Sequence, residues 1–390
     1  MEHNREDCDG HDGTTEDRSS VLERRADEIG VVICYETIYV RDCWEQLTDL
    51  PWWYVFAPDV ERQLAWRRDV ASSLAVDWMT LSSVRPAGDR ASLHICTRDD
   101  GVYLEDRRSG TAERLVRPAV SGWDERYAHE DRSPAVLPSS GAEVEQAVPL
   151  PDGFDAGEFL RSGRGDLAVA WQSEFGDDLF PIGHVSAPFG MTYDVWGFEG
   201  MMSMAALRPD LIELACQRLM ERTLRQVRTA AALGCAGIWI EDCMSDMISP
   251  EAFARLNVPF VRQIVEEIQS HGMAAIHYFC GNPAGKWELL LDTGADALSL
   301  EEGKKGFEID IDDVAEIVAG RCAVLGNLDA ISVLQSGSDA RLRAEVARQI
   351  AAGRRNGSRF VMSIGSPVTP DTPVDRVRQY VDIAHELGSG

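Results

Sequence analysis

The residues with chemistry to offer fall at the ends of short apolar runs. Tyr35-Glu36 closes one run, Asp77-Trp78 lies in the next, and His184 sits in a third. Glu241-Asp242 closes AGIWIED, and His277-Tyr278-Phe279-Cys280-Gly281-Asn282 closes MAAIHYFCGN. Glu301-Glu302, Asn327-Leu328-Asp329 and Ser363-Ile364-Gly365-Ser366 end the last three. Carboxylates gathered on one rim repel unless a metal, a cation or shared protons compensate, so this arrangement predicts a ligand or metal among them. Glu241, Asp242, His277 and Glu302 are the expected catalytic acids and bases. His277, Cys280 and Glu241 are the expected metal ligands, with zinc as the metal. Glu36, Trp53, Asp77, His184, Tyr278, Asn282, Asn327, Asp329 and Ser366 are the expected substrate-binding residues. Trp52, Trp53 and Trp78 are sited to line a pocket for a flat ligand. Each has a plainer structural reading: Asp329 and Ser366 as helix caps, Cys280 as a buried thiol, His277 as a core histidine.

The elements that must carry these residues alternate. Apolar runs at 30–35, 75–81, 181–187, 236–242, 273–279, 296–302, 322–329 and 359–365 read as strands buried on both faces, as a helix-covered parallel sheet requires. Between them lie amphipathic stretches, among them Pro209 to Leu233 and a helix from Ser249-Pro250 to Ser270. Eight strands with helical crossovers predict an α/β fold, a closed (β/α)8 TIM barrel whose catalytic groups lie at the C-terminal strand ends. No GxGxxG or GxxxxGK[ST] loop follows any strand, which disfavours a nucleotide-binding open sheet. Residues 90–150 break the alternation. Asp100-Gly101 and Ser109-Gly110 separate short alternating runs, predicting an antiparallel hairpin insertion between the second and third strands, with 128–147 as its exposed return loop. Residues 1–26 read as a disordered acidic lead-in, and 27–390 as a single barrel domain.

Composition narrows the partners. With 38 Lys and Arg against 65 Asp and Glu, the formal charge is -27, which repels nucleic acid and anionic lipid. No run of apolar residues is long enough to span a bilayer and no secretory leader opens the chain, so the expected location is the cytoplasm. Nine scattered cysteines without a CxxC pair read as reduced thiols. A small-molecule substrate is expected, with a homodimer left open as the assembly.

Several of the same segments carry a family resemblance. HYFCGN at 277–282, ADALSLEE at 295–302, LGNLDA at 325–330, GSPVTPDTP at 365–373 and ISPEAF at 248–253 resemble the successive signatures of the uroporphyrinogen decarboxylase-like superfamily. YETIYVRDCWEQLTDLPWW at 35–53 is similar to the opening segment of its corrinoid-linked methyltransferase branch. The porphyrinogen decarboxylases hold substrate carboxylates with an arginine-rich opening segment, whereas here Arg41 stands among acids. The thiol-methylating members bind zinc through a His-x-Cys pair and a later Cys. In register with that pattern this chain has Tyr278, Cys280 and Ser366, so Cys280 alone is retained. The resemblance implies a transferase moving a methyl or one-carbon group between a corrinoid, carried on a partner protein, and a thiol or tetrahydrofolate-type acceptor. A decarboxylase or lyase for a small carboxylic acid is the alternative, and a catalytically inactive binding subunit a second one.

Overall fold

The computed structural model describes residues 29–120, 136–303 and 306–389. The lead-in at 1–26 and the stretch 121–135 of the insertion lie outside the described residues.

Ten strands are present among the described residues: β1 (Trp78–Thr80), β2 (Leu93–Arg98), β3 (Gly101–Asp106), β4 (Thr111–Arg114), β5 (Phe180–Ser186), β6 (Gly237–Asp242), β7 (Ala274–Phe279), β8 (Ala297–Leu300), β9 (Ala323–Leu325) and β10 (Phe360–Val361). Seven form one curled parallel sheet in the order β1-β5-β6-β7-β8-β9-β10. The closed ring of eight strands read from the sequence is corrected here. The run at 30–35 is not a strand but a single bridge, Val31 to Met362. Its backbone still bonds on both sides: Val32 N donates to Met362 O (2.8 Å), and Val31 O accepts from Asp77 N (2.9 Å). The pairing stops because Tyr35 takes a left-handed conformation (φ 53°) and the chain turns straight into the helix Glu36–Asp42.

The insertion forms as expected. β2, β3 and β4 make a separate antiparallel sheet between β1 and β5 in the chain, with Arg98 opposite Gly101 and Asp106 opposite Thr111 at its two turns. Its return is not all loop. Ser140 caps a helix, Gly141–Ala147, which buries Val144 completely. The helix Pro209–Leu233 matches the sequence expectation end to end. The one expected from Ser249-Pro250 to Ser270 breaks at Asn257 into Pro250–Leu256 and Val258–Ser270.

Residues in register across a parallel sheet share a face, and neighbours along a strand alternate. His184 stands beside Trp239, Ser186 beside Glu241, Glu241 beside Tyr278, and Tyr278 beside Ser299. These side chains fill the concave face. The alternate set, Ile240, Asp242, His277 and Phe279, faces the covering helices, where Phe279 meets Phe253 edge-on (centroids 5.7 Å apart).

Candidate active site in the hollow of the curled sheet

The floor of the hollow is aromatic. Trp239 stacks on Tyr278 (4.8 Å, 26°), Tyr35 meets both rings edge-on (5.8 and 5.6 Å), and Trp78 meets Trp239 edge-on at 5.6 Å. Tyr35 reaches this position only through its left-handed backbone, a local strain of the kind that concentrates at functional sites. Burial, and then the charge of Glu241, hold the Tyr35 hydroxyl well above the ordinary tyrosine range. Burial does the same for Tyr278, whose hydroxyl donates to Gly365 O at 3.2 Å.

On one wall the Thr80 hydroxyl donates to Glu36 Oε1 and lies 3.1 Å from His184 Nε2. Thr80 N also donates to Glu36 Oε1 (2.8 Å). With the threonine proton committed to the carboxylate, Nε2 must be the donor of the second bond. The other imidazole nitrogen has no protein partner among the described residues.

The opposite wall carries carboxylate-paired thiols at successive strand ends. Cys280 Sγ donates to Glu301 Oε1 (3.2 Å) and Cys243 Sγ lies 3.6 Å from Glu241 Oε1. The neighbouring Cys280 thiol, followed by burial, keeps Cys243 well above the usual thiol range. Ser186 Oγ donates to Glu241 Oε2 at the limit of hydrogen bonding, 3.5 Å. Such a row can take a proton from a bound acceptor or return one.

The structure assembles part of the expected site and disperses the rest. Glu36, His184, Glu241, Tyr278 and Cys280 share the hollow. Asp242 and His277 do not, because each stands one residue away from an inward-facing neighbour. They form a fully buried network against the helices: His277 Nε2 lies 3.1 Å from Asp242 Oδ2, and Asn257 Nδ2 donates to Asp242 Oδ1 at 2.9 Å. Asn257 is the residue that breaks the helix. The expected metal set of His277, Cys280 and Glu241 is therefore not brought together, and no group of three or more His, Cys, Asp or Glu among the described residues is arranged to hold a metal ion. The zinc positions of the resembled pattern do converge, since Tyr278 reaches Gly365 beside Ser366. Their donors are nonetheless a phenol, one thiol and a hydroxyl already donating to Glu302 Oε2 (2.6 Å), a set that does not fit zinc.

The remaining expected residues serve the scaffold. Asp77 accepts from Val31 N (2.6 Å) and lies 2.9 Å from His385 Nε2, at the start of β1 and away from the C-terminal rim. Asp329 caps the segment Ala330–Gln335 through Ile331 N and Ser332 N. Asn327 Nδ2 ties down the carbonyls of Glu301 and Ile309, and Asn282 Oδ1 closes its own turn on Ala284 N. Glu302 is buried against the Gly365-Ser366 loop. Trp53 packs on Tyr54 (4.8 Å) beneath Arg62, and Trp78 is walled in with Nε1 on Ile33 O. Sequence reasoning placed Tyr35 and Glu301 on the rim without a role and missed Thr80, Trp239 and Cys243. Strand parity could have picked out these last three and Glu301, because Trp239-x-Glu241-x-Cys243 and Ser299-x-Glu301 lie two apart, and Thr80 lies two after Trp78.

A second cavity, of about 810 Å³, adjoins the hollow at Glu36 and Thr80 and is roofed by the hairpin sheet. Arg41, which stands among acids in the sequence, is joined on these walls by Arg67, Arg85, Arg90, Arg114 and Arg117.

Residues 167–387 match the family model "Uroporphyrinogen decarboxylase (URO-D)". The uroporphyrinogen decarboxylase of Thermodesulfovibrio yellowstonii is 26% identical over 212 residues, 53% of this chain and 59% of that protein. That of Desulfotalea psychrophila is 26% identical over 251 residues, covering 62% and 68%. This chain thus aligns with little more than half to two thirds of these relatives' lengths. Among solved structures, a methyltransferase from Methanosarcina mazei superposes with a TM-score of 0.64 at 16% identity, covering 96% of this chain and 98% of its own, which shows a shared fold. Among the described residues, no helix is long and apolar enough to cross a membrane.

Proposed function

Because the chain belongs to the uroporphyrinogen decarboxylase family, we propose that it is a transferase of that family, moving a methyl or one-carbon group onto a small acceptor held in the hollow. In this reading Gly30–Val32 acts as the eighth stave of the barrel. The observation that carries the reading is the pairing of Cys280 with Glu301 and of Cys243 with Glu241 on adjacent strand ends. A methyl transfer to a thiol or a pterin-type nitrogen forms an acceptor–carbon bond and breaks the donor–carbon bond, whose electron pair stays with the donor. The acceptor must lose a proton, and Glu301 or Glu241 is placed to take it. The half-buried Tyr35 ring, held edge-on by the fully buried Trp239 and Tyr278, supplies an aromatic surface for a planar acceptor. A corrinoid on a partner protein would supply the methyl group. No step is assigned to zinc, because the donor set does not fit it.

The test follows methylcobalamin demethylation by its visible spectrum, with a thiol or tetrahydrofolate as acceptor. Acceptor-dependent demethylation is expected, falling about 100-fold or more in Glu301→Gln and Cys280→Ser. Retained turnover in both variants would sink the assignment of these roles.

The decarboxylase or lyase reading keeps one observation in its favour, the Glu36–Thr80–His184 relay. A histidine backed by a carboxylate through a hydroxyl can deliver a proton to the carbanion left when carbon dioxide departs. Formation of coproporphyrinogen from uroporphyrinogen, with no methyl transfer, would select that reading instead.

A further inference from the structure

The cavity beside the hollow is built almost wholly by residues outside the family match. Apart from Leu167, every lining residue lies between Glu36 and Pro118, in the opening helix, the Trp52–Phe56 turn, the helix Val60–Leu74, the end of β1 and the hairpin sheet. The segment of the chain that the family model matches contributes only Leu167 to it.

Its electrostatics run against the molecule. In a chain of formal charge -27, six arginines and two glutamates, Glu36 and Glu113, line this space. Three of the arginines are already paired with carboxylates: Arg41 with Asp42, Arg90 with Asp166 and Arg117 with Glu45. Arg67, Arg85 and Arg114 form no ion pair with any described residue. Arg85 and Arg114 are exposed, and among the described residues Arg114 bonds only the Asp100 carbonyl (2.7 Å).

Arg67 is the informative one, because it is only 7% exposed. Its Nη1 donates to Gln63 O (2.6 Å) and Gln63 Oε1 (2.9 Å), and one Nη2 hydrogen goes to Ser82 Oγ (3.0 Å). These neutral acceptors fix the guanidinium without neutralising it, and its face lies 4.1 Å from the Trp66 ring. Nε finds no acceptor among the described residues, so its hydrogen and one on Nη2 are left over for a carboxylate or phosphate. A cation taken out of water without a counter-ion is costly, and burial alone pulls this arginine down to about 9. Trp44, Trp52 and Phe56 supply apolar walls, and the volume suits a drug-sized molecule.

We propose that this side cavity is a binding site for a compact organic anion, with a carboxylate or phosphate head on Arg67, Arg85 and Arg114 and an aromatic or apolar body against Trp44, Trp52 and Phe56. The site shares Glu36 and Thr80 with the hollow, but its occupancy is read by binding alone and needs no turnover.

The experiment titrates the full chain with 2-naphthoate, 2-naphthyl phosphate and the uncharged 2-naphthamide by calorimetry. At least one anion should bind saturably, about tenfold or more tighter than the amide, and weaken with salt. The tighter of the two anions identifies the head group. Arg67→Gln should cost about tenfold, and the exposed pair Arg85→Gln with Arg114→Gln a similar factor, while Glu301→Gln in the hollow should leave binding unchanged. The double variant decides the matter should Arg67→Gln fail to fold. Equal affinity for anion and amide, absence of saturable binding, or loss of binding in Glu301→Gln but not in the arginine variants would overturn the proposal.

Discussion

His184 is joined to Glu36 through a single hydroxyl: Thr80 donates to the carboxylate and lies 3.1 Å from His184 Nε2. Three strand or helix termini distant in sequence meet at that oxygen. The bond fixes which imidazole nitrogen faces the hollow bare, which is what an acid or base in a substrate pocket requires.

Thr80→Val should therefore break the relay while keeping the side chain's shape. The expected loss in turnover is about tenfold to 1,000-fold, with Thr80→Ser restoring most of it. Because Glu36 would lose a partner in a buried setting, stability should also fall by about 1–3 kcal/mol. Turnover and a thermal melt measured on both variants check this, and equal turnover in Thr80→Val and wild type would remove the relay from the mechanism.

Asp242 and Glu241 are neighbours with opposite tasks. Asp242→Ala leaves His277 Nε2 and Asn257 Nδ2 buried without their acceptor and should cost about 2–4 kcal/mol, lowering the melting temperature by several degrees. Glu241→Gln, in the polar hollow, should barely move the melt and should abolish activity. The reverse pattern would mean that the faces of β6 are assigned the wrong way round.

Gly281→Ala tests the loop that presents Cys280. Gly281 has φ 120°, and a β-carbon there would collide with the Asp246 side chain, whose carboxylate accepts from Asn282 N. The substitution should lower stability by about 1–3 kcal/mol and displace Cys280 from Glu301. A crystal structure of the variant with the 3.2 Å contact intact would contradict that account.

Buried thiols set an alkaline limit. Burial pushes Cys322 up to about 11 and Cys235 up to about 12. Their folded values lie above the unfolded value near 9, so their contribution is fully present below pH 9 and is lost as pH rises through 11 and 12. Each costs roughly 1.4 kcal/mol per pH unit across that window. Denaturant midpoints measured between pH 8 and 11 should hold steady to about 9 and then fall. Iodoacetamide at pH 8 should leave Cys216, Cys235 and Cys322 unmodified, as read by mass spectrometry.

The sequence by itself determined the parallel α/β architecture, the hairpin insertion and the rim on which chemistry gathers. Continuous apolar runs, helix caps and Asp-Gly and Ser-Gly turns are local signals, written within a few residues of the structure they specify. The family likewise lay in contiguous motifs. The tertiary structure alone decided which rim residues cooperate. A one-residue step along a strand sends Asp242 and His277 to the helices while Glu241 and Tyr278 enter the hollow, and the left-handed turn at Tyr35 replaces the expected first strand with a bridge. The arginines of the side cavity are spread from Arg41 to Arg117 and look unremarkable in a chain of net negative charge. Only the folding of the hairpin sheet over the opening segment places them around one space, because a cavity's charge depends on proximity across elements and not on local composition.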